Sequence, residues 1–184
     1  MWGDAVAISV VENDFGGDCE PIVAEVEMDG TRWDSIVSPK KSLKKFDLSQ
    51  DYISTNEFKT AMNGGEVFRF TQVDVPSAIE RLLKDAGKTK DEIDWFLLHQ
   101  PNKYLVETVA DLMDIPLAKT PSNVVSNFGN SSSATIPTNI CLNLTPDILH
   151  KSFSVCMSGF GTGLTVGAIT MKLGPLNFCA FAEY

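Results

Sequence analysis

Twenty consecutive residues, Ser152–Met171, carry no charge and lie between Lys151 and Lys172. That length and polarity would permit a helix across a bilayer. The interior of the stretch argues against it. Gly159, Gly161, Gly163 and Gly167 recur within it, and Val155, Thr162, Thr165, Val166, Ile169 and Thr170 are β-branched. Two buried strands, 152–160 and 163–173, joined by a glycine turn account for both features. No membrane association is expected.

Upstream, the period of the apolar residues changes twice. "DAVAISVVEN" (Asp4–Asn13) reads as a strand, and "PIVAEVEMDG" (Pro21–Gly30) alternates as a strand with one wet face does. The stretch 31–56 is polar, basic and irregular, an excursion from the core. Over Glu66–Gly87, Val67, Phe70, Val73, Ile79, Leu82 and Leu83 fall on helical spacing, with Gly87 a C-terminal stop and Pro76 expected to kink or split the helix. "TKDEIDWFLLHQ" gives a polar turn and then an apolar strand, Trp95–Leu98, of the kind covered on both faces. Tyr104–Met113 makes a second helix. Ser131–Leu144 makes a third, interrupted at Pro137. This order predicts an α/β fold, a mixed five-stranded sheet between helical layers, as one domain over residues 1–184 with 174–184 as a C-terminal extension.

Composition removes several classes of function. With 43% hydrophobic and 21% charged residues the chain is not disordered. A net charge of −9 would repel a phosphate backbone, so no nucleic acid is expected as partner. The basic cluster Ser38–Lys45 reads as a solvated loop, with an acidic partner as the alternative. Cys19, Cys141, Cys156 and Cys179 show neither C-x-x-C nor a repeated spacing, which argues against zinc and against a disulfide scaffold and suits a reducing, cytoplasmic setting. His99 and His150 lack metal-site neighbours in sequence, so no metal is expected.

The candidate chemistry sits in three places. His99 closes the apolar strand, and ligands of α/β sheets sit at such carboxyl ends. Alone, it would read as a structural histidine. Asn130 follows a glycine at a helix start, where its amide either caps the helix or points into a cleft. In "SGFGTGLTVG" (Ser158–Gly167) a tight turn lets backbone N–H groups approach a ligand. As a dinucleotide fingerprint it fails, because a strand rather than a helix follows. An imidazole and a carboxamide can donate to one oxygen, and backbone N–H groups can form a second such site. That suits an enolate or a tetrahedral oxyanion, where one preorganised donor is typically worth about 3–4 kcal/mol. No nucleophile is evident: none of the four cysteines has the electropositive helix-start setting that lowers a thiol pKa.

"DWFLLHQPN", "NFGNSSSATIP" and "SGFGTGLTVGAITMKL" resemble, in order and spacing, motifs of the second half of β-ketoacyl-acyl-carrier-protein synthase III, a thiolase-fold condensing enzyme. "WGDAVAISVV" is similar to the strand opening that half, and "MNGGEVFRF" to the entry into its next helix. The resemblance is weak over 31–56 and absent from "GPLNFCAFAEY". It implies that His99 and Asn130 hydrogen-bond the thioester oxygen of a malonyl group and stabilise the enolate left by loss of carbon dioxide. It implies that the Thr162 backbone N–H helps form the oxyanion hole, where the family has glycine. Asn102 and Gly64 would contact the pantetheine arm, and Phe160 would pack beside the nucleophile. Coenzyme A or phosphopantetheine thioesters are the implied substrates, with no further cofactor. The implied partners are acyl carrier protein, acyl-CoA and a nucleophile-bearing N-terminal half, in the same enzyme or a partner chain, and the assembly would be a homodimer.

Departures from the family pattern are Pro101, Tyr104 in place of a basic residue, and Ala5 in place of a glycine. The cysteine-bearing first half is missing, so the chain alone is expected to be inactive. A non-autonomous acyl-pantetheine-binding subunit, another thiolase-fold condensation, or a plain α/β domain with a structural histidine and a capping asparagine remain open on these residues.

Overall fold

The uncharged stretch folds as a hairpin: β5 (Phe153–Gly161) and β6 (Thr165–Leu173) pair antiparallel, with Gly161 opposite Thr165. Gly163, in the turn between them, has φ +135, and a Cβ there would lie 2.1 Å from Thr165 Oγ1, so only glycine fits. The structure is a computed structural model that describes residues 3–11, 20–37 and 60–182. Among these, no helix is long and apolar enough to cross a membrane.

The remaining elements, in chain order, are β1 (Val23–Met28), β2 (Ile36–Val37), β3 (Ala61–Met62), α1 (Gly64–Asp85), β4 (Trp95–Leu98), α2 (Lys103–Leu112), α3 (Val124–Phe128) and α4 (Thr135–Asn143). The main sheet has four strands in the order β1-β6-β5-β4. β4 and β5 run parallel, and the other pairs are antiparallel. β2 and β3 form a separate two-stranded sheet. The sheet is therefore mixed, as expected, but has four strands rather than five.

The missing fifth strand is the one predicted over Asp4–Asn13. Residues 4–11 form no strand, and Val6, Ile8 and Val11 are 91%, 83% and 92% exposed; 12–13 lie outside the described residues. An alternating apolar segment becomes a strand only where a sheet edge takes its backbone bonds and a layer takes its side chains. Among the described residues neither happens for 4–11: the segment pairs with no strand, and its apolar side chains stay exposed. Most of the excursion, with the basic cluster from Ser38, also lies outside the described residues, although 30–35 form a short 3-10 turn leading into β2.

Two cores flank the sheet. On one face α1 and α2 bury Phe70, Ile79, Leu82, Val106 and Val109 against Phe96, Leu98, Val166 and Ala168. On the other, Leu97 and Val155 meet Leu144, Ile148 and Ile140 around α4. β4 thus faces a core on both sides, which explains why its sequence is uninterruptedly apolar.

α1 runs through Pro76 as one helix, so the proline does not split it. A proline inside a helix costs about 3 kcal/mol. Fully burying each of Val75, Ile79 and Leu82 contributes about 1.5–3 kcal/mol, so packing prevails. The helix starts at Asn63, whose Oδ1 accepts from Glu66 N at 3.2 Å. It stops where Gly87 (φ +64) closes bonds from Gly87 N to Lys84 O and from Lys88 N to Leu83 O. Nor does Pro137 interrupt its helix. It lies in the first turn of α4, where its missing N–H would have had no partner. Arg81 holds α1 to β1 through Glu25 (2.9 Å) and Glu27, and Arg32 bonds Asp74 at 2.9 Å.

Leu82→Ala is expected to lower unfolding stability by about 3 kcal/mol, and Val73→Ala on the open face of the same helix by less than about 0.5. Urea unfolding of the two variants checks this; equal losses would contradict the assigned core.

Candidate functional site

Parallel pairing delivers the histidine. Leu98 lies opposite Ser158, and the ladder continues one residue further, His99 N donating to Ser158 O at 2.8 Å. His99 therefore leaves the sheet beside Gly159–Thr162. Its ring meets Phe160 edge-on, with centroids 5.2 Å apart and planes at 70°.

The next residue, Gln100, is fully buried and ties the strand end to the segment carrying the asparagine. Its Nε2 donates to Pro121 O at 2.7 Å, and its Oε1 accepts from Val124 N at 2.9 Å and Val125 N at 3.3 Å. Those two N–H groups open α3, and α3 leads into Gly129 and Asn130. Asn130 Oδ1 then accepts from Ser132 N at 2.9 Å, which leaves the amide nitrogen as the end free to donate. Ser132 holds the left-handed conformation (φ +54), at a backbone cost of about 1 kcal/mol. Strain of this kind concentrates where a loop is held in one geometry.

Thr135, at the start of α4, joins the two halves of the site. Its Oγ1 lies 2.7 Å from His99 Nδ1, 2.9 Å from Ser132 O and 3.4 Å from Gln100 N. The hydroxyl carries one proton. If Ser132 O accepts it, Nδ1 must be the protonated ring nitrogen and Nε2 an acceptor. If Nδ1 accepts it, Nε2 carries the hydrogen and becomes a donor. Burial pushes the His99 pKa down from 6.5 to about 4, and a bond with the Ser132 backbone works in the opposite direction. The imidazole is neutral at pH 7.

A cavity of about 570 Å³ gathers these groups. His99, Asn130, Ser132, Thr135 and the segment Gly159–Thr162 line it, with Ile36, Met62, Val67, Phe70 and Ile136 as an apolar wall. Of the residues singled out from sequence, His99, Asn130, Phe160 and Thr162 are brought together here. Asn102 and Gly64 are not among the lining residues. Asn102 caps α2, its Oδ1 accepting from Leu105 N at 2.8 Å, and Gly64 opens α1. Tyr104 is 66% exposed and stacks on Phe68 with centroids 6.0 Å apart. Sequence reasoning missed Gln100 and Thr135. Only their adjacency to His99 and their place five residues after Asn130 hinted at a role.

The four-stranded sheet with its flanking helices is a thiolase-like α/β fold. It superposes on the crystal structure of a 3-oxoacyl-(acyl-carrier protein) synthase from Burkholderia xenovorans with a TM-score of 0.75 and 30% identity, covering 85% of this chain and 45% of that one. Residues 83–173 match the family model of the 3-oxoacyl-[acyl-carrier-protein] synthase III C terminal. The β-ketoacyl-[acyl-carrier-protein] synthase III of Prochlorococcus marinus (strain MIT 9301) is 34% identical over 177 residues, 95% of this chain and 52% of the relative. That of Synechococcus elongatus is 42% identical over 116 residues, 63% of this chain and 34% of the relative. The chain belongs to the 3-oxoacyl-[acyl-carrier-protein] synthase III family and corresponds to its C-terminal part. It spans at most about half the length of these relatives.

The buried imidazole links stability to pH. Unfolded, it titrates near 6.5; folded, near 4. Between those values the unfolded chain binds the extra proton, so the contribution is complete above pH 6.5 and is lost as pH falls toward 4. The loss is at most about 3 kcal/mol. Urea unfolding of wild type and His99→Gln from pH 7 to pH 4.5 is expected to show a steeper fall for wild type; parallel curves would contradict the shift.

Proposed function

We propose that this chain supplies the enolate-stabilising half of a 3-oxoacyl-acyl-carrier-protein synthase III, which condenses an acyl thioester with malonyl-acyl-carrier protein in cytoplasmic fatty acid biosynthesis. The observation that carries the reading is that His99 and Asn130, from separate loops, line one cavity with the glycine-rich turn Gly159–Thr162. A cysteine outside this chain takes the acyl group from acyl-CoA as a thioester, which divides the reaction into two easier steps. Malonyl thioester then enters the cavity. Its C–CO₂⁻ bond breaks, carbon dioxide leaves, and the electron pair passes into the thioester as an enolate. His99 Nε2–H and the Asn130 amide donate to the enolate oxygen. The enolate carbon attacks the acyl carbonyl, whose oxyanion is held by the Thr162 N–H, and the cysteine departs as thiolate. Both substrates are pantetheine thioesters, and bond making and breaking need no cofactor beyond them.

This chemistry selects between the two proton arrangements at Thr135. Only donation from Thr135 to Nδ1 leaves a hydrogen on Nε2. Thr135 is thus a positioning residue for His99. The exposed apolar groups of 4–11, and Val26 and Met28 on the face of β1 away from α1, support the further reading that a cysteine-bearing half, and beyond it a second copy in a homodimer, covers this side.

The test is a chimera joining this chain to the N-terminal half of the Synechococcus elongatus relative. Malonyl decarboxylation is followed by release of labelled carbon dioxide, and cysteine acylation by intact mass. His99→Ala and Asn130→Ala are each expected to lower decarboxylation by about 100-fold or more while acylation persists. Thr135→Val is expected to lower it by about tenfold, with Thr135→Ser restoring it. Loss of acylation with decarboxylation preserved would refute the assigned roles. Ketoacyl product from the chain alone would refute the need for a second half.

A further inference from the structure

Two cysteines that sequence spacing keeps apart meet on the face of the sheet opposite α1. Cys141 lies on α4, and Cys179 on the segment that follows β6 and the family-matched region. Their sulfurs are 3.1 Å apart, Cys179 Sγ donating to Cys141 Sγ, and Cys141 Sγ faces Ala180 O at 3.9 Å. Both are half-buried, whereas Cys156 is sealed inside β5. The contact is held from three sides. Leu176 N donates to Ile148 O at 2.8 Å, Leu176 and Cys179 pack on the core around Leu144 and Ile148, and Phe181 stacks on Phe128 with centroids 5.4 Å apart. Phe128 ends α3, two residues before Asn130.

We propose that Cys141 and Cys179 form a reversible disulfide that fastens the segment 174–182 across α4, beside the loop that carries Asn130. The oxidant is a low-molecular-weight disulfide of the glutathione class. Cys179 gives up its proton, and its sulfur attacks one sulfur of that disulfide and releases one small thiol, leaving a mixed disulfide. The Cys141 thiol gives up its proton, and its sulfur attacks Cys179 Sγ and releases the second small thiol. Two protein thiols are oxidised and one small disulfide is reduced, a two-electron exchange. Bonded sulfurs lie about 2.05 Å apart, so a movement of about 1 Å suffices. Burial pushes the Cys141 thiol up to about 12, with Cys179 adding to the shift. In a reducing compartment a disulfide of this kind is transient and redox-sensing rather than structural.

The full chain is equilibrated with graded ratios of oxidised to reduced glutathione, quenched with acid, digested without reduction and analysed by mass spectrometry, with Tm measured alongside. A Cys141–Cys179 cross-link is expected, lighter by two hydrogens than the paired free peptides, together with a raised Tm that dithiothreitol reverses. Cys179→Ser is expected to remove both. Phe181→Ala is expected to retain the cross-link but to need roughly tenfold more oxidising conditions, because it lowers the effective concentration of one thiol at the other. Persistent glutathione adducts without the cross-link, pairing through Cys19 instead, no reaction at either thiol, or an unchanged midpoint in Phe181→Ala together with an unchanged Tm on oxidation would each overturn the proposal.

Discussion

One backbone bond at the end of a parallel ladder, His99 N to Ser158 O, governs the cavity. It carries the register of β4 against β5 one residue beyond the strand. A slip of one residue would turn His99 toward the opposite core and bring Leu98 or Gln100 to the cavity in its place, according to its direction. The buried Gln100 amide extends the same constraint sideways. By holding the first N–H groups of α3, it fixes where that helix begins and therefore where Asn130 arrives. A four-residue strand thus positions two side chains thirty-one residues apart, through a glutamine that is itself fully buried. Rigidity at the site follows from the core rather than from the loops.

Much of this was legible in the residues. β4 was readable because its residues face a core on both sides, and the hairpin because charge is absent and glycine recurs. The pairing of His99 with Asn130 was readable only through the resemblance, since nothing in the spacing itself says that two loops meet. Where local rules failed, a tertiary term had the larger magnitude. Pro76 stays within α1 because the apolar groups around it bury more free energy than the lost bond costs. Pro137 is harmless because it falls where no bond is made. The segment 4–11 shows the reverse case. Its alternation is strand-like, but strand formation depends on a partner edge, and no local pattern contains that information. Thr135 and Gln100 went unnoticed for a similar reason: a hydroxyl and an amide become positioning groups only through what they touch.

The cavity's polarity also bears on which kind of catalysis it can support. An imidazole driven to a pKa near 4 is a poor base at neutral pH, so removing a proton from carbon is not the task this setting favours. Neutral and buried, it keeps a hydrogen-bonding nitrogen for the cavity without the desolvation cost of a buried imidazolium. The apolar wall of Ile36, Met62, Val67 and Phe70 acts in the same direction. It lowers the local dielectric, which strengthens a donor aimed at a developing anion and penalises a carboxylate that stays. In the proposed reaction, a malonyl carboxylate entering such a cavity would be destabilised relative to water. The enolate formed on loss of carbon dioxide would there meet the two donors assigned to it in that proposal. Burial of the imidazole and the apolar lining are therefore aspects of one physical preference, for hydrogen-bonded negative charge at the donors and against negative charge elsewhere in the cavity.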